Sequence, residues 1–334
     1  FRDGAAELGV AADAAQRIFK KFNGHYMFPE SHAFAFGATA YHMAWVKYYY
    51  PLEFFAAIFN QQPMGFYNLE TLKEDARRHG IAVLNPDIND SMGKCIIKDG
   101  SVLLGFLQVR GLGEAGASSV TRAKEKGGPF ASLAEAMERT GLQREAIENL
   151  VNAGAFDSLN SSQTPDRRSA LWEVGLRYRP GGYQQSLSLP VEQDMVDLPP
   201  QSRWETMAGE YRTMGLFPKG HLMAMLRDHL PPGVSTSQDV LGLPDGAQVT
   251  VSGLVIRRQR PLAKAVFITL EDEFGHTPLV VWPQVYEKYR LALKEPVLMI
   301  RGEVSRRDGT MNIVARHVVS ARSLTHLPRS KDWG

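Results

Sequence analysis

The stretch from residue 249 to residue 319 decides the fold. It holds five apolar or alternating runs: VTVSGLVI (249–256), AVFITL (265–270), PLVVW (278–282), VLMIRGEV (297–304) and NIVARHVV (312–319). β-Branched and aromatic residues dominate these runs, and Asp272 to His276 and Asp308-Gly309 supply turns between them. A polar, helix-compatible insert, Val285 to Leu293, separates the third run from the fourth. Five short strands with a helix between the third and fourth predict a small Greek-key barrel of the OB type. Its expected bounds are residues 241–325, with a tail at 326–334.

Barrels of this type hold single-stranded nucleic acid by joining basic side chains to aromatic stacking platforms. Arg257, Arg258, Arg260 and Lys264 cluster around the first turn and are the candidate binding residues. Phe267, Phe274, Trp282, Tyr286 and Tyr289 lie near them in sequence, with Phe267 and Trp282 read as core. The run Glu271-Asp272-Glu273 reads as a solvated strand-end turn, not a metal cradle.

Composition narrows the alternatives. The chain has 334 residues, 44% hydrophobic and 22% charged, which suits two or three globular domains and excludes a disordered chain. No window approaches the ~20 uninterrupted apolar residues of a membrane span. A single cysteine, Cys95, rules out an internal disulfide and a four-cysteine zinc site, and fits a reducing cytosol. Net charge is 38 − 36 = +2, unevenly spread: residues 241–334 carry 14 basic against 9 acidic residues, the first 240 carry 24 against 27. A basic C-terminal domain suits nucleic-acid contact. The chain opens at Phe1 inside a helical pattern with no signal peptide, and is expected to be the C-terminal part of a longer polypeptide.

Working back from the barrel, residues 161–240 read as a linker and helical connector, rich in Ser, Gln, Pro and Gly, with helices at about 168–176 and 204–230. Residues 91–160 contain a hairpin turning at Asp99-Gly100, then the segment Val109-Arg110-Gly111-Leu112-Gly113-Glu114-Ala115. Gly-hydrophobic-Gly opening a helix is the turn of a helix-hairpin-helix. The glycines permit a tight turn, and amides at the helix N-terminus can hold a phosphate oxygen. Arg110, Gly111, Leu112 and Gly113, with Lys124 and Lys126, are the candidate duplex contacts; such contacts position a DNA backbone without reading sequence. A second helical pair turns at Asn152-Ala153-Gly154-Ala155; it lacks the Gly-x-Gly signature and reads as structural. Residues 1–90 read as helical, with Ser31 as N-cap of a helix from about His32 to Tyr49. His32, Arg77, Arg78 and His79 could face anions, although by composition each reads as a helix-surface or packed polar residue. No Walker loop, no Gly-x-Ser-x-Gly elbow and no paired zinc spacing is present.

The chain resembles the C-terminal third of bacterial C-family, DnaE-type DNA polymerases, and most closely their error-prone, damage-inducible branch. The segments that carry the resemblance are YMFPESHAFAFGATAYHMAWVKYYYPLEFFAAIFNQQPMGFY (26–67), DARRHGI (75–81), LGFLQVRGLGEAG (104–116), LVNAGAFDSL (150–159) and FITLEDEFGHTPLVVWPQVYEKYR (267–290). It implies a multi-domain α+β architecture: the end of the fingers (1–90), a tandem helix-hairpin-helix domain (91–160), the connector and the OB barrel. It implies a part in template-directed dNTP addition during error-prone repair synthesis, with primer–template duplex and single-stranded template as partners. A sliding clamp or other translesion subunits are further expected partners, in the cytoplasm. Tyr26, Phe28, Ser31 and His32 would lie toward the incoming nucleotide. The Mg²⁺-binding palm carboxylates would lie upstream of residue 1, so this segment alone is expected to hold no catalytic residue, no metal and no activity. Met27 departs from the family's glycine between Tyr and Phe, and His221-Leu222 departs from its His-Pro. A non-enzymatic nucleic-acid-binding module and a repair-complex scaffold are the competing readings.

Overall fold

The computed structural model describes residues 1–22, 29–65, 67–159, 167–178, 195–261, 265–307, 309–320 and 331–333. Phe1–Tyr50 and Pro51–Gly334 form separate compact units. The first contains α1 (Arg2–Glu7), α2 (Ala12–Phe22) and α3 (Glu30–Tyr49). Pro29, in extended conformation, is the N-cap of α3, so Ser31 lies within its first turn and does not cap it. No residue of α3 is buried, and Phe34 and Tyr48 are 78% and 79% exposed.

The second unit begins with α4 (Pro51–Asn60) and α5 (Leu69–Arg78), the latter capped by the Asn68 side chain accepting the Thr71 N–H at 2.7 Å. A three-stranded sheet follows, in the order β1 (Val83–Leu84), β3 (Ser101–Leu103), β2 (Ile96–Lys98), with β2 and β3 joined by the expected hairpin. Then come α6 (Gly113–Gly127), α7 (Leu133–Thr140), α8 (Arg144–Asn152) and α9 (Arg167–Arg177). Phe55, Phe59, Phe106, Phe130, Leu150 and Val174 meet in one core beneath them. The connector holds α10 (Arg203–Met214), α11 (Leu222–Leu226), β4 (Val234–Ser235) and α12 (Ser237–Leu241). The departure at His221-Leu222 falls at a helix start, as expected: His221 Nδ1 caps α11 by accepting the Met223 N–H at 3.0 Å.

The barrel comprises β5 (Gln248–Gln259), β6 (Val266–Glu271), β7 (His276–Val281), β8 (Val297–Arg307) and β9 (Thr310–Ser320), with α13 (Pro283–Tyr289) between β7 and β8. Its order is β5-β6-β7-β9-β8, closed by β8 pairing back onto β5. β5 serves two neighbours. It pairs with β8 from Gln248 to Leu254 and with β6 from Leu254 to Gln259, with a register break between Val255 and Arg257. Such a break bends a strand and lets a small barrel close. β4 and a terminal β10 (Lys331–Trp333) add to β5 in parallel.

A buried ionic network joins the helical part to the barrel. Lys73, 2% exposed, places Nζ 2.9 Å from Glu70 and 2.5 Å from Glu74, and donates to the carbonyls of Phe217 (3.0 Å) and Gly220 (2.5 Å). Glu70 also accepts the Tyr211 hydroxyl at 2.8 Å and the Phe217 N–H at 3.0 Å. On the next turn of α5, Arg78 pairs with Glu271 of β6 at 2.9 Å. Glu271 and Asp272 are buried, at 0% and 3% exposure, which overturns the reading of this run as solvated. Asp272 takes the N–H and hydroxyl of Ser237, and Glu273 takes a two-pronged contact from Arg227 at 2.8 Å. Burial alone would raise the Glu271 carboxyl, but the hydrogen bond and charge of His276, with Arg78, hold it below the usual carboxylate range. Removing one member of a buried ion pair leaves its partners uncompensated. Lys73→Ala is therefore expected to lower unfolding free energy by about 3–5 kcal/mol, read from the urea midpoint. A loss below about 1 kcal/mol would place this network among weak surface pairs.

Candidate nucleic-acid interface

The Gly-x-Gly turn is open at its backbone and closed at its side chain. After one 3-10 turn (Phe106–Gln108), Gly111 takes φ 79° and Gly113 φ 59°, with Leu112 right-handed between them. A side chain at such φ costs roughly 1–2 kcal/mol. At Gly113 conformation alone sets the requirement, because no atom lies within 4 Å of where a Cβ would sit. Leu112 is buried and anchors the turn, while Arg110, Gly111, Gly113, Glu114 and Ala115 are exposed. The bond closing the first turn of α6 runs from the Gly116 N–H to the Leu112 carbonyl at 3.2 Å. The amides of Gly113, Glu114 and Ala115 precede it and face along the helix axis, where the dipole favours an anion. Two elements fix the Arg110 peptide. Its N–H donates to the Thr213 carbonyl of α10 at 2.8 Å, and its carbonyl accepts from Asn149 Nδ2 of α8 at 2.9 Å.

The two lysines of α6 differ. Lys126 is exposed. Lys124 is half-buried, and its ammonium donates to the carbonyls of Asn89 (3.1 Å) and Ser91 (2.8 Å). Burial pulls its pKa down. Lys124 thus ties α6 to the loop before β2.

The second turn is occupied. A Cβ on Gly154 would come within 2.3 Å of Arg167 Nη2. Arg167, from α9, grips Asp157 at 3.0 and 2.8 Å, the Asn152 carbonyl at 2.9 Å and Glu210 at 2.9 Å. Glu210 is fully buried and also accepts from Asn85 Nδ2 at 2.8 Å. Burial outweighs Arg167 and pushes its carboxyl up to about 7.

On the barrel, cross-strand register sorts the arginines. Arg258 stands opposite buried Ile268 and is half-buried; Arg257 stands opposite Thr269 and is exposed. Gln259 stands opposite Phe267, so Arg257, Gln259 and Phe267 share the outer face. Phe267 and Trp282 are 42% and 48% exposed, which corrects their reading as core residues: alternation along β6 turns Phe267 outward between buried Val266 and Ile268. Phe274 is likewise exposed, whereas Tyr286 and Tyr289 pack partly against the barrel. Arg260 stacks 4.4 Å over the Tyr286 ring and faces Glu287 at 3.7 Å. Lys264, Tyr26 and Phe28 lie outside the described residues. Ser31 and His32 are exposed on α3, with His32 edge-on to Phe36 at 4.5 Å.

Among the described residues no group of three or more His, Cys, Asp or Glu side chains is placed to hold a metal ion. The carboxylates of Glu271 and Glu273 are committed to Arg78 and Arg227, so this run does not fit a metal pair. Among the described residues no helix is long and apolar enough to cross a membrane.

Fold and turn geometry together define a helix-hairpin-helix segment followed by an OB barrel. The family described as a helix-hairpin-helix motif matches residues 80–168, and that described as an OB-fold nucleic acid binding domain matches residues 249–320. Error-prone DNA polymerases are similar along nearly the whole chain. That of Anaeromyxobacter sp. (strain K) is 38% identical over 328 residues, covering 93% of this chain and 28% of the relative. Those of Nocardia farcinica (34%, covering 99% of this chain and 30% of the relative) and Caulobacter vibrioides (36%, covering 94% and 32%) match similarly. The chain is thus similar to error-prone DNA polymerases over 93–99% of its own length, and spans about 28–32% of the length of these relatives.

The raised Glu210 carboxyl has a stability consequence. The folded state binds a proton more tightly than the unfolded state, whose ordinary carboxyl titrates near 4.5. Its contribution is therefore fully present below the unfolded pKa and is lost as pH rises toward about 7. Relative to Glu210→Gln, the wild-type chain is expected to lose stability steadily from pH 5 to pH 7 in urea titrations. A difference that stays flat across that window would contradict a carboxyl titrating there.

Proposed function

We propose that this chain is the nucleic-acid-gripping part of an error-prone, DNA-directed DNA polymerase acting in repair synthesis in the cytoplasm. The observation that carries the reading is the open turn at Gly111–Ala115, held from both sides at Arg110 with its amides exposed. A duplex backbone sits on that turn through phosphate oxygens, without sequence preference. The outer face of the barrel, with Arg257 and Phe267, takes single-stranded template by charge and stacking. Arg260, just after the strand that carries Arg257, is engaged with Tyr286. Ser31 and His32 belong to the side of the fingers that meets the incoming dNTP, together with Tyr26 and Phe28. The reaction itself requires divalent metal, Mg²⁺ in this proposal, on carboxylates outside these 334 residues. A sliding clamp or other translesion subunits are the expected protein partners.

Gly111→Val combined with Gly113→Val is expected to weaken duplex binding at least tenfold, to the same extent for unrelated sequences, in anisotropy titrations with folded protein. Unchanged affinity would remove the turn from the interface. For the barrel, Arg257→Ala with Arg258→Ala is expected to weaken single-strand binding more than duplex binding, with Arg257→Ala carrying most of the effect. Equal losses on both substrates would count against a single-strand role.

A further inference from the structure

Two clefts adjoin the residues that flank the Gly-x-Gly turn, one lined by Glu114 and the other by Arg110, and the two differ in charge. Along α6 runs an open groove of about 460 Å³ whose charged lining residues are Glu114, Arg122 and Glu125, one base against two acids. Toward α10 lies a cleft of about 330 Å³ whose charged lining residues are Arg110 and Arg212, with no acid. Both arginines are exposed, and among the described residues neither enters an ion pair. The cleft is rigid at its base, where the Arg110 N–H is bonded to the carbonyl of Thr213, the residue after Arg212.

A sugar–phosphate strand leaving the amides at the start of α6 meets net repulsion in one direction and two unpaired guanidinium groups in the other. Guanidinium is the side chain best suited to grip phosphate oxygens in pairs. We propose that the duplex backbone crosses the Gly111–Gly113 turn toward α10 and that Arg212 completes the phosphate site with Arg110. The inference rests on the turn being a duplex-binding site, and it adds a residue that neither the hairpin motif nor its family match at 80–168 contains. The competing role for Arg212 is to balance the carbonyl end of α10, in whose last turn it lies.

The test is anisotropy of a short blunt-ended DNA duplex of mixed sequence with the full chain, between about 50 and 200 mM salt. Arg212→Ala is expected to raise Kd about tenfold and to reduce the log–log salt slope by about 1. Arg212→Lys should keep the slope, and Arg122→Ala, across the turn, should change neither quantity. An unchanged slope with a lowered thermal midpoint for Arg212→Ala would assign it to the α10 terminus and overturn the proposal. Equal losses for Arg122→Ala would overturn the path. If Arg212→Ala is neutral while the Gly111/Gly113 double substitution weakens binding, this inference fails and the duplex-binding reading stands. If the double substitution is neutral as well, the reading beneath it fails.

Discussion

A buried ammonium, Lys73 Nζ, is the contact on which the second unit depends. It bonds two carboxylates of its own helix and two carbonyls near residue 220, positions 144 and 147 residues away in sequence. From it the structure can be followed outward in single bonds. Glu70 holds the Tyr211 hydroxyl, whose pKa burial and then Glu70 itself raise well above the ordinary phenol value. Tyr211 fixes the end of α10, and Thr213, two residues on, holds the Arg110 peptide in the hairpin turn. In the other direction α5 reaches the barrel through Arg78 and Glu271. Desolvated charge of this kind contributes geometry more securely than net stability.

The two modules expose different chemistry. The turn offers backbone amides that need no side chain at Gly111 or Gly113, so it suits phosphate oxygens of any sequence. The barrel offers Arg257 beside Phe267 on one outer face, which suits an unpaired strand whose bases can stack. Apolar contact between α10–α11 and the barrel, through Met207, Phe217, Leu222, Leu254 and Ile256, backs the ionic network. The proposed contacts thus lie on loops and strand faces, with the packed core beneath them, the usual division in binding proteins.

The barrel was legible because β-branched runs with turn residues between them leave few other folds, and the helix between strands three and four sets their order. The hairpin turn was legible because only glycine tolerates its two left-handed positions. What the sequence concealed was direction and distance. Phe267 and Trp282 looked like core because a strand aromatic carries no local mark of the face it occupies. Glu271-Asp272-Glu273 looked solvated because Arg78, 193 residues away from Glu271, is invisible to local reading. On α5, Glu70, Lys73 and Glu74 are buried, and Glu70 and Lys73 bond to Tyr211, Phe217 and Gly220 of the connector, far away in sequence. Lys124 lies on the helix that follows the Gly-x-Gly turn, yet its ammonium is committed to two carbonyls, and Arg212 of the connector shares a cleft with Arg110.

The central claim is that free amides at the start of α6 receive a phosphate. Amide hydrogen exchange at millisecond resolution, with and without duplex DNA, addresses it directly. The account predicts that the amides of Gly113, Glu114 and Ala115, fast-exchanging in the free chain, slow on binding, and that the matching turn at Gly154, filled by Arg167, is unaffected. Duplex binding with no slowing at Gly113 to Ala115 would contradict it.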